Sequence, residues 1–101
     1  MKLSLTLLAF LFLIVHGNAQ TATSSRYTEK CQVCHGVTGR ADTPAGKAMG
    51  ARAFNSPDVI KQSDADLLEV IKNGKGKMPA FAGKLTEPQM VVLVAYIRKL
   101  Q

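Results

Sequence analysis

Five residues, Cys31-Gln32-Val33-Cys34-His35, constrain this chain more than any other stretch. Cysteines three apart share one face of a helix, so both thiols can reach the two vinyl groups along one edge of a porphyrin. Each thiol adds across a vinyl group to form a thioether. The histidine that follows then lies beneath the ring, where an imidazole nitrogen can meet the iron: this is the C-x-x-C-H pattern of covalent haem attachment. The chain has two cysteines in all, so one haem uses both and none is left for a structural disulfide. A thioredoxin-like reading of the pair requires a βαβ context, which the residue pattern does not offer. A zinc site requires further ligands. There is no second Cys pair, and the other histidine, His16, falls in a segment read below as a leader.

That leader is the N-terminal segment. Met1-Lys2 gives a positive start, Leu3 to Val15 is almost wholly apolar, and Gly17 and Ala19 supply a small-x-small site. Together these are the three parts of a secretory signal peptide. The apolar run is shorter than the roughly 18 residues or more of a spanning helix. Residues 1–19 are therefore expected to be removed and 20–101 to form the mature domain, exported to the periplasm with no stable membrane insertion. Export agrees with the motif, because thioethers to haem are made after translocation in bacteria. The mature chain is one domain, near the lower size limit for an unaided hydrophobic core, and a covalent haem would supply a large apolar body to pack around.

The helical pattern is legible in pieces. Residues Gln20 to Ser25 are polar and read as a short loose N-terminus. Ser24 or Ser25 can cap a first helix running into Cys34, with Tyr27 four residues before Cys31 and on the same side. From Gly36 to about Asn55, glycines and Pro44 interrupt any period, so loop is expected with at most a turn of helix. A loop carbonyl near Pro44 could accept the ring N–H of His35 and orient it, although a simple turn proline fits equally. Ser63 and Asp66 resemble a capping box for a helix that stops at Gly74, with Leu67, Leu68 and Ile71 facing inward. Gly74 to Phe81 reads as loop. Thr86 and Gln89 form a clear capping box for a last helix from Glu87 to about Leu100. Its apolar stripe is Met90, Leu93, Val94, Ile97 and Leu100. No stretch alternates as a strand, so the domain reads as all-α.

A haem iron held by His35 has one axial position left, and a thioether there raises the reduction potential and closes the iron to outside ligands. The mature chain offers Met49, Met78 and Met90. Met90 sits on the apolar stripe of the last helix and is most simply core. Met49 lies in the loop after the haem-binding helix. Met78 lies between two helices, before Pro79, which restricts its backbone, with enough chain after His35 to reach the opposite haem face. Position favours Met78, with Met49 or an open iron as alternatives.

In this order, the residues resemble a small class I bacterial cytochrome c, of the single-haem periplasmic kind. Cys31, Cys34 and His35 match its attachment site and proximal ligand, and Tyr27 its aromatic residue four before the first cysteine. Pro44 matches its histidine-orienting proline, Lys77-Met78-Pro79 its distal methionine segment, and Leu93 to Tyr96 its crossing C-terminal helix. Thr23 departs from the glycine many members carry at that crossing, and the loop from Pro44 to Ser63 matches no subfamily. The resemblance implies three main helices and loops wrapped around one haem c, with His35 and Met78 as axial iron ligands.

It also implies a one-electron carrier rather than an enzyme, working between periplasmic or membrane redox partners. Lys72, Lys75, Lys77 and Lys84 crowd the loop around Met78 in a chain of net charge +6, a basic rim suited to acidic docking surfaces. An electron-entry subunit of a periplasmic dehydrogenase, or a ligand-binding or peroxidatic haem with an open iron, are the competing readings. Nucleic acid is a poor partner, since no helix presents a basic face.

Overall fold

The computed structural model describes residues 19–101 and places six helices there: α1 (Ala19–Lys30), α2 (Gln32–His35), α3 (Pro44–Met49), α4 (Pro57–Ile60), α5 (Asp64–Asn73) and α6 (Glu87–Lys99). The expected leader lies outside the described residues apart from Ala19. Among the described residues no strand forms; Lys75 with Met78, and Ala82 with Leu85, make isolated bridges. The domain is all-α, with α1, α5 and α6 as its three main helices.

Local signals fix α5 and α6. Thr86 accepts the Gln89 backbone N–H at 3.3 Å, and the Gln89 side chain accepts the Thr86 N–H at 2.9 Å, so the capping box closes in both directions. At α5, Ser63 accepts the Asp66 N–H at 3.1 Å, which is the forward half of that motif. Helix α5 ends at Gly74 as expected, at a positive φ of 74° that favours glycine, although ψ 172° lies outside the left-handed helical well. Leu67 and Ile71 of α5 are buried with Met90, Leu93, Val94 and Ile97 of α6, and Leu68 is half-buried beside them. Arg98, near the end of α6, pairs with Asp64 at 2.9 Å and donates to the carbonyls of Ile60 and Gln62. That ties the last turn of α6 to the α4–α5 connection.

The N-terminal region departs from expectation in two ways. Gln20 to Ser25 are helical rather than loose, because α1 packs on α6. Thr23 and Tyr27, four apart on α1, are both buried, which gives an otherwise polar segment an inward face. The helix also does not run unbroken into Cys34. At Cys31 (φ −118°, ψ −36°) the ladder slips: its carbonyl takes both the Cys34 N–H, at 3.2 Å, and the His35 N–H, at 2.9 Å. The attachment motif thus straddles a break between two helices.

Two short helices, α3 and α4, lie where mostly loop was expected. Each opens with a hydroxyl residue followed by proline, Thr43-Pro44 and Ser56-Pro57, the arrangement of a cap and a first helical residue. Helix α3 packs on α2, and Gly46 makes that approach possible: a Cβ there would collide with the Cys34 carbonyl. We predict that Gly46→Ala overpacks this contact at roughly 1–3 kcal/mol. Thr86→Ala, which removes one cap, should cost about 1 kcal/mol. Chemical denaturation of the two variants against the parent protein reads both values, and Gly46→Ala should be the more damaging.

Candidate haem site

A single cavity of ≈ 500 Å³ brings together residues far apart in the chain, within the ~300–1,000 Å³ usual for cofactor sites. Cys31, Cys34 and His35 line it from the α1–α2 junction, and Met78 lines it from the α5–α6 loop. Between them the walls are core side chains, including Leu67 and Ile71 of α5 and Leu93 and Ile97 of α6. The motif and the methionine chosen by position therefore share one apolar chamber.

The remaining methionines separate. Met90 is 2 % exposed in the core and does not line the cavity. Met49 does line it, but as a rim residue 52 % exposed at the end of α3. The loop carrying Met78 is a tight turn in which Lys75 and Met78 exchange backbone hydrogen bonds of 3.2 and 2.9 Å. It is tied to α5 through the Phe81 N–H on the Ile71 carbonyl, at 3.0 Å. Met78 itself is half-buried against the core.

The chemistry of the two cysteines also discriminates. Burial pushes the Cys31 thiol up to about 11. A dithiol built for disulfide exchange needs a depressed thiol pKa, so this environment opposes the thioredoxin-like reading. Among the described residues no three His, Cys, Asp or Glu side chains gather as a set of metal ligands.

His35 is neutral near pH 7. Burial lowers its pKa, and the backbone of Arg52 opposes that shift only in part. Its Nδ1 is buried, and the backbone partner the ring has is Arg52, in the loop after α3. The Pro44 expectation is corrected here. Pro44 is the exposed first residue of α3, does not line the cavity, and gives His35 no acceptor. Its contribution is to start the helix whose cap, Thr43, donates to the Val33 carbonyl at 2.6 Å while accepting the Gly46 N–H at 2.9 Å. That bond secures α2, and with it the cysteines and the histidine.

Tyr27 likewise supports the site from behind rather than lining it. It is 1 % exposed, its hydroxyl donates to the Gly36 carbonyl at 2.6 Å, and its ring packs on Tyr96 of α6 with centroids 4.8 Å apart. Burial raises its phenol pKa far above the ordinary value, with the negative potential of Cys31, Tyr96 and Asp42 adding to the shift. The hydroxyl therefore stays protonated as a donor. Sequence reasoning missed Phe54, whose ring stacks on His35 with centroids 4.6 Å apart and planes 23° from parallel. A lone aromatic in a segment without periodicity carries no signal of that contact.

Charge on the walls is one-sided. Lys30, Arg52, Lys75 and Lys77 line the cavity and no Asp or Glu does. The expected basic cluster is thus redistributed. Lys72 pairs with Glu87 at 3.6 Å and Lys84 lies 5.9 Å from the Phe81 ring, while Lys30 joins the rim and Arg52, also on the lining, is paired with Asp58. A haem needs an apolar slot for its ring and cationic relief for its two carboxylates. The apolar walls, two cysteines and a buried imidazole on the lining, and this basic rim meet those needs.

Known proteins agree with that reading. Residues 18–97 match the family model described as cytochrome c oxidase, cbb3-type, subunit III. The chain is similar to a cytochrome c6 of Euglena gracilis, 30% identical over 71 residues covering 70% of this chain and 80% of that protein. It is similar also to a cytochrome c6 of Bryopsis maxima, 32% identical over 78 residues covering 72% and 82% respectively. Among solved structures it resembles the KustC0563 c-type cytochrome, with a TM-score of 0.72 and 33% identity, over 78% of this chain and 96% of that one. The chain belongs to the cytochrome c family as a small class I c-type cytochrome, a haem c electron carrier.

Proposed function

We propose that the protein shuttles single electrons through a haem c whose iron is held by His35 and Met78. Cys31 and Cys34 carry the two thioethers. The observation that carries this reading is the convergence of all four residues on one cavity. The haem supplies the one-electron ferric/ferrous couple; the chain supplies position, dielectric and access. Neutral His35 offers a nitrogen lone pair from the α2 side. The Met78 turn, pinned to the end of α5, holds a thioether sulfur that raises the potential and leaves no site for a substrate. Apolar side chains of α5 and α6 keep the centre dry, which strengthens both effects.

The same geometry favours docking to an acidic partner. Exposed Lys75 and Lys77 stand beside Met78 on the cavity rim, and charges of one sign around the electron's exit steer an oppositely charged surface into contact. We place the carrier outside the inner membrane, as the leader pattern of residues 1–19 indicates. Among the described residues no helix is long and apolar enough to cross a membrane. The matching family model, described as an oxidase subunit, gives a second reading in which the domain passes electrons from within a complex. Co-purification of a stable partner from native extracts would favour that form over the free carrier.

Two experiments test the proposal. The ferrous protein should give a low-spin spectrum unchanged by carbon monoxide, and the ferric protein a weak iron–sulfur charge-transfer band. Met78→Ala should abolish the band and admit carbon monoxide, whereas Met49→Ala should do neither. Rapid carbon monoxide uptake by the unmodified protein would instead mean an open iron and end the carrier reading. Changing Lys75 and Lys77 together to glutamine should slow electron exchange with the anionic reagent ferricyanide and flatten its dependence on salt. An unchanged salt dependence would remove the docking role of this rim.

A further inference from the structure

A helix ends with carbonyls that have no partner inside it, and in α5 two of these are taken by the returning chain. The Ile71 and Lys72 carbonyls accept the Phe81 and Ala82 N–H groups at 3.0 and 3.1 Å. Residues 74–80 are thus a loop closed at its base, and Met78 lies within it. The Met78 backbone is held by its two hydrogen bonds with Lys75, at 3.2 and 2.9 Å, and Pro79 restricts it further.

This loop folds down onto Gly74. A Cβ at that position would stand 2.6 Å from the Met78 carbonyl oxygen, 3.0 Å from the Ala80 nitrogen and 3.1 Å from the Pro79 carbonyl carbon. All three are backbone atoms, which unlike the tip of a side chain cannot rotate aside. Gly83 provides the contrast. It shares the positive φ, 82° against 74°, yet a Cβ there would meet nothing within 4 Å. Backbone conformation accounts for glycine at 83, whereas at 74 the close approach of the Met78 segment requires it as well.

The anchors decide which side would give way to a side chain at 74. Gly74 is tied to α5 by its N–H on the Val70 carbonyl at 2.8 Å, and the base of the loop by the Phe81 and Ala82 bonds. The Met78 segment rests on the Lys75 pair, whose 3.2 Å bond is the longest of these. It is therefore the Met78 segment that moves. A methionine side chain is adaptable, so its sulfur follows such a shift in part, with altered reach and direction.

We propose that Gly74 is the positioning residue for the Met78 sulfur: its bare Cα lets residues 78–80 seat against the end of α5, where Met78 lines the cavity. This rests on Met78 being the axial ligand proposed above.

The test compares the haem-loaded protein with Gly74→Ala and Gly83→Ala. Two quantities are read where each variant is fully folded by circular dichroism: the ferric iron–sulfur charge-transfer band per haem, and the affinity for added imidazole, which competes with a thioether for ferric iron. Gly74→Ala should weaken the band and raise the imidazole affinity several-fold. Gly83 does not line the cavity, so Gly83→Ala should lower thermal stability and leave both readings at parent values. Parent-like readings in folded Gly74→Ala, or an equal change in Gly83→Ala, overturn the inference. Should Gly74→Ala fail to load haem, proton NMR of the unmodified ferrous protein decides. Cross-relaxation between a Gly74 α-proton and the Ala80 amide proton supports the close approach, and its absence overturns it. A parent protein without the band would overturn the ligand assignment and this inference with it. A parent with the band and an indifferent Gly74→Ala removes this inference alone.

Discussion

The side chains that form the hydrophobic core of this protein also wall its cofactor cavity. Phe54, Val59, Leu67, Ile71, Phe81, Leu93 and Ile97 belong to both. Without a haem these walls would face water across a cleft of ≈ 500 Å³ open at its rim, and their apolar burial would be lost. Whole domains are stable by only about 5–15 kcal/mol. A chain this short has no second core to fall back on. The helices would consequently need the haem to complete their packing, and its covalent attachment would keep that part of the core from dissociating.

This dependence explains the division of labour around the site. Helix α2 is a single turn and could not hold Cys34 and His35 by itself. It is fixed by the Thr43 hydroxyl on its carbonyls, by Gly46 letting α3 approach, and by Tyr27 holding Gly36 from the α1 side. The opposite wall is anchored differently, through the short Met78 turn bonded to the end of α5. His35 and Met78, the proposed iron ligands, thus each sit on a small irregular element braced by a long helix. Positive charge gathers where these elements meet the surface, at Lys30, Lys75 and Lys77.

What was legible in the sequence was local chemistry. The cap at Thr86 and Gln89, the stop at Gly74 and the inward stripe of α6 depend on residues within a few positions of one another, and they stand as read. The cysteine–histidine spacing belongs to the same class. Gln20 to Ser25 was misread because its helicity comes from burying Thr23 and Tyr27 on a helix packed against α6, a tertiary cause. The two short helices did carry a signal, in Thr43-Pro44 and Ser56-Pro57, which the surrounding glycines outweighed. Pro44 was assigned to His35 when its structural part is to begin α3. Phe54 could not have been found at all, since its stacking on His35 depends on the 36–41 turn folding back between them.

The central claim is that the haem completes the core, and hydrogen exchange tests it most directly. Amide protection in α5 and α6 is compared between the haem-loaded protein and the double variant Cys31→Ala/Cys34→Ala prepared without haem. The account predicts that the haem-free chain loses protection at Leu67, Ile71, Leu93 and Ile97, the residues that face the cavity. Protection there equal to that of the haem-loaded protein would show a core that closes on its own, and would contradict it.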